Sequence, residues 1–282
     1  MHLNIVPART GLQWARAGVR TFLRQPIALS GLFFLFMALM SLATMLPLVG
    51  FALALGLLPT ATLGMMAAAR EAAAGRFARP AILFVGLRAG RDRARAMGTL
   101  GLLYVVGFLL MMGASALFDG GSFASSYLLG SRLDGDTMGQ PGVQAAMWVA
   151  LVLYLPLSML FWHASALVHW YGVSPVKSLF FSFVACVRNM GAFAVYALAW
   201  TGIFILGGLA AGIVTTLLVV SGILGSSESP LATALITGLM VGTALVMAAM
   251  FFTSLYATFV DCFGPPPEAE GTVPAQHREA IK

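Results

Sequence analysis

Long apolar stretches, interrupted by short charged segments, make up most of the chain. Runs free of charged residues extend from Arg24 to Arg70, from Arg95 to Asp119 and from Arg188 to Glu228. Because about 20 apolar residues in a helix cross the hydrocarbon of a bilayer once, the longest runs cross it twice, with Pro and Gly at the turns. The pattern predicts an all-α, polytopic membrane protein with six transmembrane helices, near 27–46, 49–69, 97–118, 143–166, 190–219 and 230–260.

Amphipathic stretches precede the odd-numbered spans. In a predicted helix at 10–24, basic residues recur every four positions, namely Arg16, Arg20 and Arg24. This pattern is typical of a helix that lies in the membrane interface with its apolar side down and its basic side toward lipid headgroups. Similar stretches begin at Pro80 and Pro175, and Pro favours the first turn of a helix. We therefore predict interfacial helices before spans 1, 3 and 5, and a repeat of three units, each with one such helix and two spans.

Composition supports the membrane class and gives the predicted orientation. Hydrophobic residues make up 60% of the 282 residues and charged residues 9%, whereas soluble domains carry about 25% charged residues. A soluble globular enzyme is therefore excluded. All but one of the 16 Lys and Arg residues lie in segments on one side of the predicted membrane, and Arg132 is the exception. Since basic loops stay in the cytoplasm, we expect a bacterial inner-membrane protein with both termini cytoplasmic. The net charge of +6 is then mostly a topology signal, and no nucleic-acid partner is expected.

The domain organisation follows from the same pattern. Residues 1–263 form one predicted membrane domain, and 264–282, with three consecutive prolines, is a predicted disordered cytoplasmic tail. The segment 119–141 is rich in Gly, Ser and Asp, which is typical of a mobile connection. The first apolar run lacks a small-residue cleavage site before its end, so we expect an uncleaved signal anchor.

Motifs for catalysis, metal binding or cofactors are absent from the sequence. No ionisable residue lies near the middle of a predicted span, where a proton-coupled carrier would need one. There is no HExxH, no GxSxG, no phosphate-binding loop and no Cys cluster. His163 and His169 are predicted to be interfacial side chains among aromatic neighbours, and Cys186 and Cys262 to be reduced thiols. We therefore expect a non-enzymatic protein without metal or cofactor.

Three sets of residues are candidates for function or assembly. Basic residues near the predicted interface are candidate contacts for anionic lipid headgroups: Arg16, Arg20, Arg24, Arg88, Arg91, Arg95, Lys177 and Arg188. In the fourth span, Pro156 interrupts the helix, and together with Tyr154 and Ser158 it marks a candidate kink or transport pathway. GxxxG pairs in the last two spans are candidates for close helix packing, namely Gly208 with Gly212 and Gly238 with Gly242.

Several short motifs resemble those of a known group of proteins. They include Pro47-Leu48-Val49-Gly50, Ala69-Arg70-Glu71, Arg79-Pro80 and the stretch from Ser174 to Asn189. Together they resemble an uncharacterised family of multi-pass inner-membrane proteins common in beta-proteobacteria, for which no activity is established. More loosely, the Ser-rich amphipathic stretch before a span is similar to that of bacterial six-helix modules attached to some glycerophosphodiester phosphodiesterases.

These observations leave three functional hypotheses. The first is a non-enzymatic inner-membrane protein in envelope or lipid-associated processes, whose basic residues contact membrane lipids, anionic ones in particular. The second is a small transporter or facilitator with a pathway near Pro156. The third is an accessory subunit, in which the glycine faces contact a membrane-protein partner or a second copy of the chain.

Overall fold

The computed structural model describes residues 2–47, 49–222 and 229–267. Most of the predicted tail, 268–282, and the acidic Glu228 therefore lie outside the described residues. The helices are α1 Thr10–Arg24, α2 Pro26–Thr44, α3 Gly50–Ala73, α4 Val85–Arg88, α5 Arg91–Asp119, α6 Ser122–Leu129, α7 Gly135–Met138, α8 Pro141–Phe161, α9 Ala164–Tyr171, α10 Pro175–Arg188, α11 Met190–Val220 and α12 Pro230–Phe263. A 3-10 turn at Pro80–Phe84 leads into α4.

The spanning helices agree with the all-α membrane fold predicted from the apolar runs. Within the described ranges, six helices are long and apolar enough to cross a membrane: α2, α3, α5, α8 continued by α9, α11 and α12. Proline occupies the first turn of α2, α8, α10 and α12, where its missing N–H costs no helical hydrogen bond.

The spans define two ends of the bundle. We call the end that carries α1, the connection 74–90, α9, α10 and the described C-terminal residues the basal end. The distal end carries the turn at 45–47 and the segment 119–141. Distal segment 119–141 is more ordered than predicted, because it contains α6 and α7. Asp119 and Asp134 accept backbone hydrogen bonds from Phe123 and Thr137, respectively, which fixes the first turns of these helices.

The predicted three-unit repeat has a counterpart in the packing. α1 packs against α11 and α12, the turn Pro80–Phe84 packs against α3, and α10 packs against α8 and α5. The short element of each predicted unit thus contacts the spans of another unit, in cyclic order. The apolar face of α1 contacts protein through Trp14 and Phe22, which are both buried. Leu12 and Leu23 remain exposed, so only part of this face packs on protein, and the interfacial position of α1 stays a prediction.

The fourth span breaks at a different place from the one predicted. α8 continues through Pro156 to Phe161, and the helix is interrupted at Trp162 and His163 before α9 begins. There the backbone N–H of His163 donates to Ser182 Oγ, at 2.9 Å. A side-chain acceptor on α10 thus replaces the helical partner, which stabilises the break.

Close helix packing uses other glycines than the predicted GxxxG pairs. A Cβ atom at Gly208, Gly212, Gly238 or Gly242 would meet no heavy atom of the described chain within 4 Å. These four glycines therefore make no close helix contact within the described chain, and their packing against a partner or a second copy stays a prediction. A Cβ at Gly207 would lie 2.2 Å from Met247 Sδ, and one at Gly101 would lie 2.2 Å from Gly56 O. These contacts join α11 to α12 and α5 to α3.

Candidate functional site at the basal end

Three helix ends meet at the basal end and bring two arginines together with a histidine. Arg70 lies in the last turn of α3, Arg93 in the first turn of α5, and His169 in the last turn of α9. These helices contact one another pairwise, so the close packing of the spans positions the three side chains. Arg93 contacts Val168 and Arg70 contacts Trp170, the two residues that flank His169. We call Arg70, Arg93 and His169, with Trp170, the basic cluster.

The arginines of the basic cluster are fixed by local contacts. Arg93 donates from Nη1 to the carbonyl oxygen of Val168. Gly172 ends α9 with a φ of +71°, and a Cβ there would lie 3.0 Å from Arg93 Nη2. Glycine at this position thus supplies both the left-handed turn and the space for the guanidinium. Arg70 lies over the indole ring of Trp170, with its Cζ 6.0 Å from the ring centroid, a cation–π contact.

Neither arginine of the basic cluster forms an ion pair with a carboxylate among the described residues. The one ion pair in those residues joins Arg76 and Glu71, with Nε 2.6 Å from Oε2. Arg70 and Arg93 are both partly buried, and His169 Nδ1 is buried without a hydrogen-bond partner in the described residues. A partly desolvated pair of cations favours an anion, and guanidinium groups bind phosphate and carboxylate oxygens in bidentate geometry.

The lipid contacts predicted from the sequence surround this cluster. All eight are exposed and lie at the basal end: Arg16, Arg20, Arg24, Arg88, Arg91, Arg95, Lys177 and Arg188. Arg24 also donates from Nη1 to Ala73 O, at 2.5 Å. The sequence alone does not identify Arg70 and Arg93 as candidates. An arginine at the end of a span indicates only the orientation of the span, and the sequence does not show which residues of other helices lie next to it.

A buried polar network lies beside the basic cluster. His163 is 0% exposed, so the prediction of an interfacial side chain is wrong for this residue. Its Nε2 is 3.1 Å from Thr258 Oγ1, and Thr258 itself donates to Leu255 O. Since the threonine proton is used there, His163 Nε2 is the donor and its Nδ1 carries no proton. Trp162 Nε1 also donates to Thr258 Oγ1, at 3.3 Å, so this hydroxyl joins the broken fourth span to α12.

The N-terminal residues are held at the same end by hydrogen bonds. Asn189 accepts from the backbone N–H of Val6 at 2.8 Å and donates to Asn4 O at 3.1 Å. Trp14 Nε1 donates to Asp261 Oδ2, at 2.8 Å. Cys186 and Cys262 are buried free thiols, and burial raises the pKa of Cys186. No group of three or more His, Cys, Asp or Glu residues that could hold a metal ion occurs in the part of the chain that is described.

The predicted pathway residues do not form one site. Tyr154 lines an apolar cavity of about 580 Å³ in the distal half of the bundle, but Pro156 and Ser158 are not among the lining residues. Ser158 Oγ donates to Leu155 O within its own helix, at 2.7 Å.

Comparison with known proteins places the chain in a family. It is 40% identical over 267 residues to a probable inner membrane protein of Burkholderia thailandensis, a match that covers 94% of each chain. No family model matches the sequence, and no solved structure matches it. The six helices that are apolar enough to cross a membrane are consistent with this relative. At this identity and coverage, the chain belongs to the family of this probable inner membrane protein.

Proposed function

We propose that this inner-membrane protein has no enzymatic activity and binds the headgroup of an anionic lipid at its basal end, on the cytoplasmic side of the membrane. The observation that carries the proposal is the basic cluster, in which Arg70 and Arg93 are partly buried and form no ion pair with a carboxylate of the described chain. Each guanidinium is also fixed by a contact of its own, to Trp170 and to Val168 O. Such fixed donors lose little conformational entropy when they bind an anion.

The exposed basic residues around the cluster have a supporting role in the proposal. Exposed Lys and Arg near a membrane surface attract anionic lipids by about 1 kcal/mol each, and salt screens this attraction. Residues such as Arg88, Arg91 and Arg95 therefore raise the local concentration of anionic lipid. The partly buried Arg70 and Arg93 select a headgroup, because donors in fixed positions require a matching acceptor geometry.

The experiment compares retention of phosphatidylglycerol with that of phosphatidylethanolamine in the purified protein by native mass spectrometry. Each of Arg70→Gln and Arg93→Gln is expected to weaken phosphatidylglycerol retention about fivefold, which corresponds to about 1 kcal/mol per basic residue. Arg132→Gln is the matched control, because Arg132 is exposed in distal segment 119–141 and lies far from the cluster. Unchanged phosphatidylglycerol retention in both cluster variants would contradict the proposal.

Salt dependence separates a headgroup site from general surface attraction. The exposed triple variant Arg88→Gln, Arg91→Gln, Arg95→Gln is expected to lose binding that high salt also removes. The loss caused by Arg70→Gln is expected to persist at high salt, because partly buried pairs are screened less. If high salt abolished the effect of Arg70→Gln as completely as that of the triple variant, the basic cluster would act as part of the general basic surface, and the proposal of a headgroup site would be contradicted.

A further inference from the structure

A second candidate site lies at the opposite end of the bundle from the basic cluster. It is an open cavity of about 580 Å³, within the range of about 300–1,000 Å³ of ligand pockets in proteins. α3 and α8 both pack against α5, and the cavity lies between them, with α5 as its floor. The α5 floor is one helical face, formed by Tyr104, Phe108, Met111 and Met112.

The other walls of the cavity are mainly apolar and carry a few uncharged polar groups. α3 contributes Leu55 and Leu58, α6 closes the distal end with Phe123 and Tyr127, and α8 contributes the remaining residues. No charged residue is among those that line it: Leu55, Leu58, Tyr104, Phe108, Met111, Met112, Phe123, Tyr127, Gln144, Met147, Trp148, Ala150, Leu151 and Tyr154. A charged ligand would therefore be desolvated here without a partner, which is unfavourable.

The polar groups of the lining indicate which way a ligand lies. Gln144 and Trp148 belong to the first two turns of α8, at the distal end, and Tyr127 lies on α6 near them. Trp and Tyr prefer the level of lipid headgroups, where one side of the ring is wet and the other apolar. Toward the membrane centre, the lining is the apolar face of α5, and its inner end carries the rings of Tyr104 and Tyr154. The stretch between the distal polar groups and these two rings is apolar, which matches an acyl chain of a lipid whose headgroup lies at the distal interface.

We propose that this cavity binds one acyl chain of a phospholipid from the distal half of the bilayer. An apolar cavity at this depth is surrounded by hydrocarbon, and water does not fill apolar cavities. Acyl chains are the apolar molecules that are present there at high concentration. This inference does not depend on the proposed headgroup site, since it concerns the other half of the membrane and an uncharged part of the ligand.

The test uses phosphatidylethanolamine with a photoactivatable diazirine on one acyl chain, in vesicles of phosphatidylethanolamine that contain the purified protein. This zwitterionic headgroup keeps the experiment independent of the basic cluster. After irradiation, peptides are mapped by mass spectrometry. Adducts on Met111, Met147 and Leu151 are expected to exceed those on Ile205 and Leu209 of α11 by at least about tenfold, a difference of about 1.4 kcal/mol in occupancy. Uniform labelling of these positions would overturn the proposal.

Two neighbouring residues of α8 give a matched pair of variants. Leu151 is 51% exposed and lines the cavity, whereas Val152 is 60% exposed and does not. Leu151→Trp is expected to fill the cavity and remove the adducts on Met111, and Val152→Trp is expected to leave them unchanged. Equal loss in both variants, or in neither, would overturn the proposal. If Leu151→Trp does not fold, Met147→Phe replaces it with the same expectation, since Met147 also lines the cavity and is partly exposed.

Discussion

The basal and distal halves of the bundle are built on the same spans but packed in different ways. In α3 the buried residues concentrate between Pro59 and Ala72, and in α12 between Met247 and Phe263, both toward the basal end. Within their most apolar stretches, 61% of the residues of α3 are buried, against 6% for α11. The chain thus encloses most of α3 and leaves most of α11 uncovered, and three of the four buried residues of α11 also lie in its basal part: Ala192, Tyr196 and Trp200.

The difference reflects what fills the space between the helices. At the basal end, α1, α9 and α10 add protein around the spans, and a network of hydroxyl, amide and imidazole groups joins them. In the described part of the distal half, the short helices α6 and α7 are the elements added to the spans, and a cavity remains between α3 and α8. Lipid tails are as apolar as leucine, so this half loses little by leaving helix surfaces uncovered. We infer that stability is concentrated at the basal end and that the distal half has the room for a ligand.

The largest expected effect comes from disturbing the contact of α1 with the spans. A Cβ at Gly11 would lie 2.0 Å from Ala192 O, and a Cβ at Gly18 would lie 2.2 Å from Ser254 Cβ. Backbone atoms cannot move aside as side chains do, so Gly11→Val is expected to lower the free energy of unfolding by about 3 kcal/mol. Thermal unfolding in detergent measures the change. Gly98→Val is the control, because a Cβ there meets no described atom within 4 Å. A loss of the same size in both variants would contradict the importance of the α1 contact.

A smaller effect is expected from the polar network. Thr258→Val keeps the shape of the side chain but removes the acceptor for His163 Nε2 and Trp162 Nε1. The buried donor of His163 and the partly buried donor of Trp162 lose their partner, and we expect a loss of about 2 kcal/mol in the free energy of unfolding. Thr216→Val on α11 is the control, since its hydroxyl is exposed and bonds within its own helix to Gly212 O. If the control lost as much stability as Thr258→Val, the network would not distinguish the basal half.

Sequence alone could predict the spans and the position of the charges, because both follow from local patterns. The apolar runs gave the six helices to within a few residues at most ends, and α1 has the bounds 10–24 expected from the spacing of Arg16, Arg20 and Arg24. A proline inside a predicted span was less informative about where the helix is interrupted. Pro156 allows α8 to continue, because neighbouring helices and small local adjustments tolerate the loss of one hydrogen bond in a membrane helix.

The basic cluster and the cavity could not be predicted, because each combines residues far apart in the chain. Arg70 and Arg93 meet His169 only when α3, α5 and α9 pack together. Similarly, Gly207 contacts Met247 while its neighbour Gly208 does not, because a shift of one residue turns a side chain by about 100° around the helix. The GxxxG motif identifies a small-residue face, but the direction of that face depends on the rotation of the helix in the bundle.

A third prediction concerns one of the two buried thiols at the basal end, Cys186. Burial raises the pKa of Cys186, so its reactive thiolate is scarce at neutral pH. At pH 8, alkylation of Cys186 in the folded protein is expected to be at least about tenfold slower than that of an exposed cysteine, the ratio that corresponds to one pKa unit or more. Ser174→Cys supplies the comparison, because Ser174 is exposed at the start of α10. Peptide-resolved mass spectrometry measures both sites, and equal rates would contradict close packing around α10.

The smallest change in the free energy of unfolding is expected at the glycine faces of the distal half. The sign of this change shows what covers those faces. Gly212 lies inside α11 and faces no described atom, and alanine is more favourable than glycine inside a helix by about 0.5–1 kcal/mol. If lipid alone covers this face, Gly212→Ala is expected to raise the free energy of unfolding by that amount without changing the oligomeric state. If a second copy or a partner packs on it, the added methyl group lowers stability and dissociates the complex, because close approach of the helix backbones needs the missing side chain. Native mass spectrometry of the wild type and Gly212→Ala, together with thermal unfolding, separates these outcomes. A stabilised, unchanged monomer would assign the distal face of α11 to lipid and remove the main structural reason to expect a subunit role.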